Sequence, residues 1–113
     1  MKIIRRSSEM VWGDIPDCHN GSGIVKCKSL LEGIDAEDFY LMHYDKINAG
    51  VRIGEHSHEE DEEIYFLLSG TGVLTCDGVE HPFSAGDISL CRRGHSHGFF
   101  AIEDSIMIVV GAK

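Results

Sequence analysis

This 113-residue chain has only two prolines and little helical periodicity. Past the first thirty residues, apolar side chains never recur at i, i+3, i+4 and i+7 for three turns, which excludes a helical bundle. The apolar runs are a handful of residues long, too short for a membrane-spanning helix. Basic residues are also scarce: 10 Lys and Arg stand against 19 Asp and Glu, giving a net charge of −9. A field of that sign repels a phosphate backbone and no basic stripe offsets it, so nucleic acid is not an expected partner. Cys18, Cys27, Cys76 and Cys91 lack C-x-x-C spacing, and "MKIIRRSSEM" lacks the apolar segment and cleavage site of a secretory leader. Reduced thiols and a cytoplasmic address are therefore expected, with Cys76 and Cys91 serving as small core residues.

Glycine is plentiful, at 13 residues, and it punctuates short runs rich in Val, Ile, Phe, Tyr and Leu. Residues 38–47, 63–70, 72–78, 87–93 and 105–111 each read as a strand. Asp77-Gly78 between two such runs signals a hairpin. Many short strands with turns between them predict an antiparallel sandwich or barrel around one core. A short helix is expected over 28–34, and residues 1–20, with no clear period, form an edge strand or an arm.

Chemistry concentrates in "GEHSHEEDEEIYFLLSG" at 54–70. On a strand, residues two apart project to one face, so His56 and His58 can converge on an ion roughly 2.0–2.2 Å from each nitrogen. A neutral imidazole offers the lone pair and a carboxylate supplies charge. Strand parity puts Glu63, Tyr65 and Leu67 on one face and Ile64, Phe66 and Leu68 on the other. The second face is expected to pack the apolar core, leaving the first for a pocket with Glu63 at its start. Glu59, Glu60 and Asp61 are assigned to a solvated turn, with Glu62 as the ligand if a bulge shifts the register. A second H-x-H, His95 and His97, follows the turn glycine Gly94. A polar surface edge accounts for one such pair more readily than for both.

These residues resemble the cupin superfamily, small β-barrels with a first motif G-x5-H-x-H-x(3,4)-E-x6-G. Gly50, His56, His58, Glu63 and Gly70 match it. Gly86, Gly94 and His97 match the second motif, in which Arg92 stands where the family has proline and Ala101 where it has asparagine. The resemblance spans residues 39–110. It implies an all-β fold, an antiparallel double-stranded β-helix (jelly roll), with residues 1–38 as an N-terminal arm and edge strands and 39–113 as the barrel of one domain overall. It also implies a metal site of His56, His58, Glu63 and His97, with His95 the competing choice for the last. One divalent ion per chain is expected, and imidazole with carboxylate suits Fe, Mn, Ni, Zn or Cu.

Other pocket residues have two readings each. Arg52 either faces inward and grips a substrate anion or is turned outward by a bulge at Gly54. Tyr65 is either a proton donor or a packed wall. Only one of His43 and Tyr44 can face in. His19 and His81 fall near turns and are expected to be exposed, whereas Phe99 and Phe100 are expected to close the pocket floor. Trp12 caps a barrel end or a subunit contact. Arg92 and Arg93 either steer an anionic ligand or pair with the acidic turn. The expected function is metal-dependent handling of a small polar molecule (a sugar, hydroxyacid or ketoacid) by an enzyme of isomerase or lyase type. The alternatives are an Fe-dependent dioxygenase or a non-catalytic binding protein. The resemblance also suggests a homodimer with "KIIRRSSEM" crossing to the neighbour.

Overall fold

The computed structural model describes residues 4–113. Lys2 and Ile3 of the expected crossing arm lie outside the described residues. Ten strands run in order: β1 (Trp12–Pro16), β2 (Ile24–Leu31), β3 (Phe39–Ile47), β4 (Arg52–His58), β5 (Glu62–Ser69), β6 (Thr71–Cys76), β7 (Val79–Ser84), β8 (Ile88–Cys91), β9 (His95–Ala101) and β10 (Ser105–Ala112). They build a six-stranded sheet, β1-β2-β3-β10-β5-β8, and a four-stranded sheet, β4-β9-β6-β7. Every pairing is antiparallel. The fold is thus the all-β jelly-roll barrel expected. Among the described residues no helix is long and apolar enough to cross a membrane.

Local chemistry sets the turns. Asp77 and Gly78 both have positive φ, 49° and 79°, between the paired residues Cys76 and Val79. That is the geometry of a two-residue type I′ hairpin, whose twist matches the flanking strands. The helix expected over 28–34 does not form. Lys28 to Leu31 instead complete β2, paired with β3 from Tyr44 to Met42. The extended strand gives this backbone cross-strand hydrogen-bond partners that one turn of isolated helix lacks.

The inner faces of the two sheets enclose Val25, Ile47, Ile53, Tyr65, Leu67, Leu74, Phe83, Phe99, Ala101, Met107 and Val109, all buried. This corrects the reading of β5. Glu63, Tyr65 and Leu67 do share a face, but that face carries core and pocket together. The opposite face, with Ile64, Phe66 and Leu68, looks outward. A strand apolar on both faces offers no alternation from which to choose the inner one. Phe99 and Phe100 also separate: Phe99 is core, whereas Phe100 lies outside beneath the Arg52 guanidinium, 4.7 Å from its ring.

Residues 17–22 carry the chain from β1 to β2 across the open end between the sheets. A turn of 3₁₀ helix at Cys18–Asn20 sits there, and Ser22 pairs with Arg52 through both backbone hydrogen bonds, 3.0 and 2.9 Å. The loop lies directly on β4. A Cβ built on Gly54 would land on the His19 carbonyl, and one on Gly21 would land on the Arg52 carbonyl. Only glycine at both positions permits this approach.

Candidate metal centre

Strand β4 contains one extra residue relative to β9. Ile53 pairs with Phe99 but His56 pairs with His97, so three steps on β4 match two on β9. This bulge puts both Ile53 and His56 inside and turns Arg52 outward, where it is exposed. The inward Arg52 of an anion clamp is therefore not what the structure shows. Beyond the bulge, period two resumes, and His58 points inward with His56.

His56, His58 and His97 form a near-equilateral triangle, with ring centroids 5.0, 4.7 and 4.9 Å apart. Glu63 reaches across from β5 in the facing sheet. Its Oε1 lies 3.0 Å from His97 Nε2, 3.5 Å from His58 Nε2 and 3.9 Å from His56 Nε2. His58, Glu63 and His97 are only 8, 6 and 1 % exposed. The ligand atoms of the four residues all lie within 4.8 Å of one another.

The outer nitrogens of His56 and His58 have partners that orient the two rings. His56 Nδ1 lies 2.8 Å from the Gly54 carbonyl, which can only accept, so Nδ1 donates and Nε2 presents a lone pair. That Nε2 is buried with no partner. His58 Nδ1 donates to Asp61 Oδ2 at 2.9 Å, so its Nε2 also presents a lone pair, 3.1 Å from His97 Nε2. The single proton of a neutral His97 cannot satisfy His58, His56 and Glu63 together. Inward lone pairs around a carboxylate repel one another unless a cation sits among them, and this donor set is suited to a divalent transition metal. The residues present fit such an ion.

Burial alone would raise the Glu63 carboxyl, but hydrogen bonds and charge from His56, His97 and His58 outweigh it and hold it down at about 2, a lowering that requires positive charge to face the carboxylate. Burial likewise lowers His97, against the pull of Glu63, and keeps its ring neutral and able to bind metal.

Two supporting contacts were not foreseen. Asp61, assigned to a solvated turn, instead anchors His58 and accepts a short hydrogen bond from the Tyr40 hydroxyl. His19, expected to be exposed at a turn, is exposed at one edge yet stacks face to face on His56, with centroids 3.5 Å apart and planes at 12°. The two glycine contacts beneath its loop hold it there. Asp17, His19 and Asn20 all adopt left-handed backbone (φ 47°, 51° and 61°), a conformation these residue types tolerate better than most. The "DCHN" segment, rich in residues that tolerate that conformation, was the available signal.

The remaining candidates sort by geometry. Tyr65 is 2 % exposed and stacks on His97 at 4.0 Å and 11°. Burial raises its hydroxyl well above the usual range, so it suits a wall better than a proton donor. His95 is not at the triangle but hydrogen-bonds Asp77 at 2.7 Å on the surface. Arg93 pairs with Glu62 at 3.6 Å and meets the Glu60 carbonyl at 3.2 Å, holding the acidic turn. His43 faces in, whereas Tyr44 packs outside against Trp12.

Next to this centre is a cavity of about 300 Å³, reached at Glu63 and bordered by Tyr65, His19, His43, Asp45 and Cys18. Ile15, Leu41, Ile53 and Val109 give it apolar sides. The space suits a molecule of a few heavy atoms.

Comparison with known proteins places this architecture. A family model described as "Cupin domain" matches residues 43–111. The chain is similar to an oxalate-binding protein of Thermotoga maritima, with 33 % identity over 96 residues covering 84 % of this chain and 79 % of the relative. Among solved structures it resembles one described as a predicted oxalate decarboxylase from Thermotoga maritima. That match has a TM-score of 0.90 and 30 % identity, covering 97 % of this chain and 98 % of the other. An RmlC-like cupin from Shewanella frigidimarina shares the fold at a TM-score of 0.80 and 16 % identity, with 99 and 91 % coverage.

Proposed function

This chain belongs to the cupin family, and from that premise we propose that it holds one divalent transition-metal ion on His56, His58, Glu63 and His97. Through that ion it binds a small dicarboxylate or ketoacid of the oxalate kind. The observation that carries this reading is the inward convergence of the four donors, with the His56 Nε2 lone pair buried and unpartnered. A divalent ion supplies positive charge and Lewis acidity to two oxygens of a chelating ligand. Fe, Mn, Ni, Zn and Cu all accept this donor set.

The chain's own residues do the rest. Three neutral imidazoles and one carboxylate leave a net charge of +1 on a dication, enough to attract an anion. Without that charge the ionised Glu63 and the −9 chain repel the same anion. Tyr40 and Asp61 hold the His58 ring, and His19 covers the His56 ring. The cavity admits a compact ligand between apolar sides and a few polar groups. The similarity to an oxalate-binding protein supports the ligand class.

An enzyme of lyase type is the second reading. Its support is that His19, His43 and Asp45, all able to carry a proton, border the cavity. The balanced reaction on hydrogen oxalate would give formate and carbon dioxide. An Fe-dependent dioxygenase would instead consume oxygen. We place the protein in the cytoplasm, in keeping with its four free thiols, and read it as a homodimer through the apolar outer face of the six-stranded sheet.

Isothermal calorimetry with oxalate tests the main reading. Mn²⁺-loaded protein is expected to bind about one oxalate per chain, and chelator-stripped protein none. Equal binding with and without metal would overturn it. Formate release in the same samples would select the lyase.

A further inference from the structure

A second group of metal-type donors, two of which border the cavity, shares no residue with the histidine–glutamate centre. Cys27 on β2 and Asp45 on β3 are paired across the strands, and His43 is two residues before Asp45 on the same face. Asp45 and Cys27 are buried, at 5 and 8 % exposure. Their three ligand atoms, a thiol sulfur, an imidazole nitrogen and a carboxylate oxygen, all lie within 4.8 Å of one another.

The plain alternative is a hydrogen-bonded pair, with the Cys27 thiol donating to Asp45. That pair is incomplete, because Asp45 Oδ1 is buried with no partner. Leaving a carboxylate oxygen in that state costs about 1–3 kcal/mol or more. Asp45, which carries the unpaired oxygen, borders the cavity together with His43.

We propose that Cys27, His43 and Asp45 form a second divalent-cation site in this barrel, distinct from the histidine–glutamate centre. The donor set is that of zinc or cobalt: one soft thiolate, one imidazole and one carboxylate, with the cavity supplying a fourth position for water or ligand. Donors around a tetrahedral ion at bond lengths of about 2.0–2.3 Å sit roughly 3.3–3.8 Å apart. With all three atoms within 4.8 Å of one another, the cluster needs to contract by no more than about 1.5 Å, within the reach of side-chain rotation. A cation here completes the shell of Oδ1 and replaces the thiol proton. Burial, the largest cause, raises both Asp45 and Cys27, the latter to about 12.

Cobalt titration of the chelator-stripped full chain tests this, because only the second site contains sulfur. The expected result is two Co²⁺ per chain, with a thiolate-to-cobalt charge-transfer band in the near ultraviolet. Cys27→Ser should remove the band and one equivalent of metal while keeping the visible bands of the histidine centre. His58→Ala should do the reverse, so failure at one site is distinguishable from failure at the other. Asp45→Asn, which keeps the side-chain shape, should weaken the sulfur-bearing site at least tenfold with an unchanged far-ultraviolet spectrum. Binding of one equivalent without the band, survival of the band in Cys27→Ser, or its loss only in Cys18→Ser would each overturn the proposal.

Discussion

Asp61 touches the proposed ion through His58 alone, yet it sets the proton and angle of that ring. Tyr40 holds Asp61 in turn and packs closely against Gly111 on β10. Asp61→Ala should therefore lower metal affinity roughly 10–100-fold with little change in fold, as read by competition against a chromophoric chelator. An unchanged affinity would show that His58 is held by its strand alone. His56 and His58 were legible as a same-face pair and Glu63 from strand parity, whereas His97 was chosen over His95 by the family resemblance; the structure brings these four together. Asp61 was not legible. A carboxylate in a run of five acids looks solvated whichever one of them folds back, and nothing local marks the one opposite Tyr40.

At the scale of elements, the β4 bulge and the loop at residues 17–22 act as one device. The bulge turns His56 in and Arg52 out, and the glycine at its start lets the loop lie flush, with His19 on His56. Gly54→Ala should push the loop off, because its Cβ would meet rigid backbone at His19 rather than a movable side-chain end. The expected outcome is loss of about 1–3 kcal/mol of stability in thermal unfolding and separation of the His19 and His56 rings in a crystal structure. A variant as stable as the parent with the rings still stacked would contradict it. The extra residue in β4 also explains why the sequence left Arg52 open, since a one-residue slip reverses every later side chain. The helix expected at 28–34 failed for a related reason: a run so short takes its conformation from the strand it can pair with.

On the whole molecule, the six-stranded sheet carries an apolar outer face. Across β10, β5 and β8, Ile108 pairs with Phe66 and Phe66 with Ile88, while Val110 pairs with Ile64 and Ile64 with Leu90. Ile88 and Leu90 are 63 and 55 % exposed, and Leu68 is 45 % exposed. Adjacent large apolar side chains in this number are uncommon on a free surface. Sedimentation should show a dimer that Leu90→Asp converts to a folded monomer; a parent that sediments as a monomer would contradict the subunit reading. This face was misread from the sequence as core, because burial by a partner and burial within the barrel leave the same apolar pattern in a strand.

The claim on which the functional reading stands is that His56, His58, Glu63 and His97 share one ion. Anomalous diffraction from crystals grown with Mn²⁺ tests it most directly. The account predicts a peak about 2.0–2.2 Å from the three Nε2 atoms and a Glu63 oxygen. Clear density for all four side chains with no anomalous peak between them would contradict it.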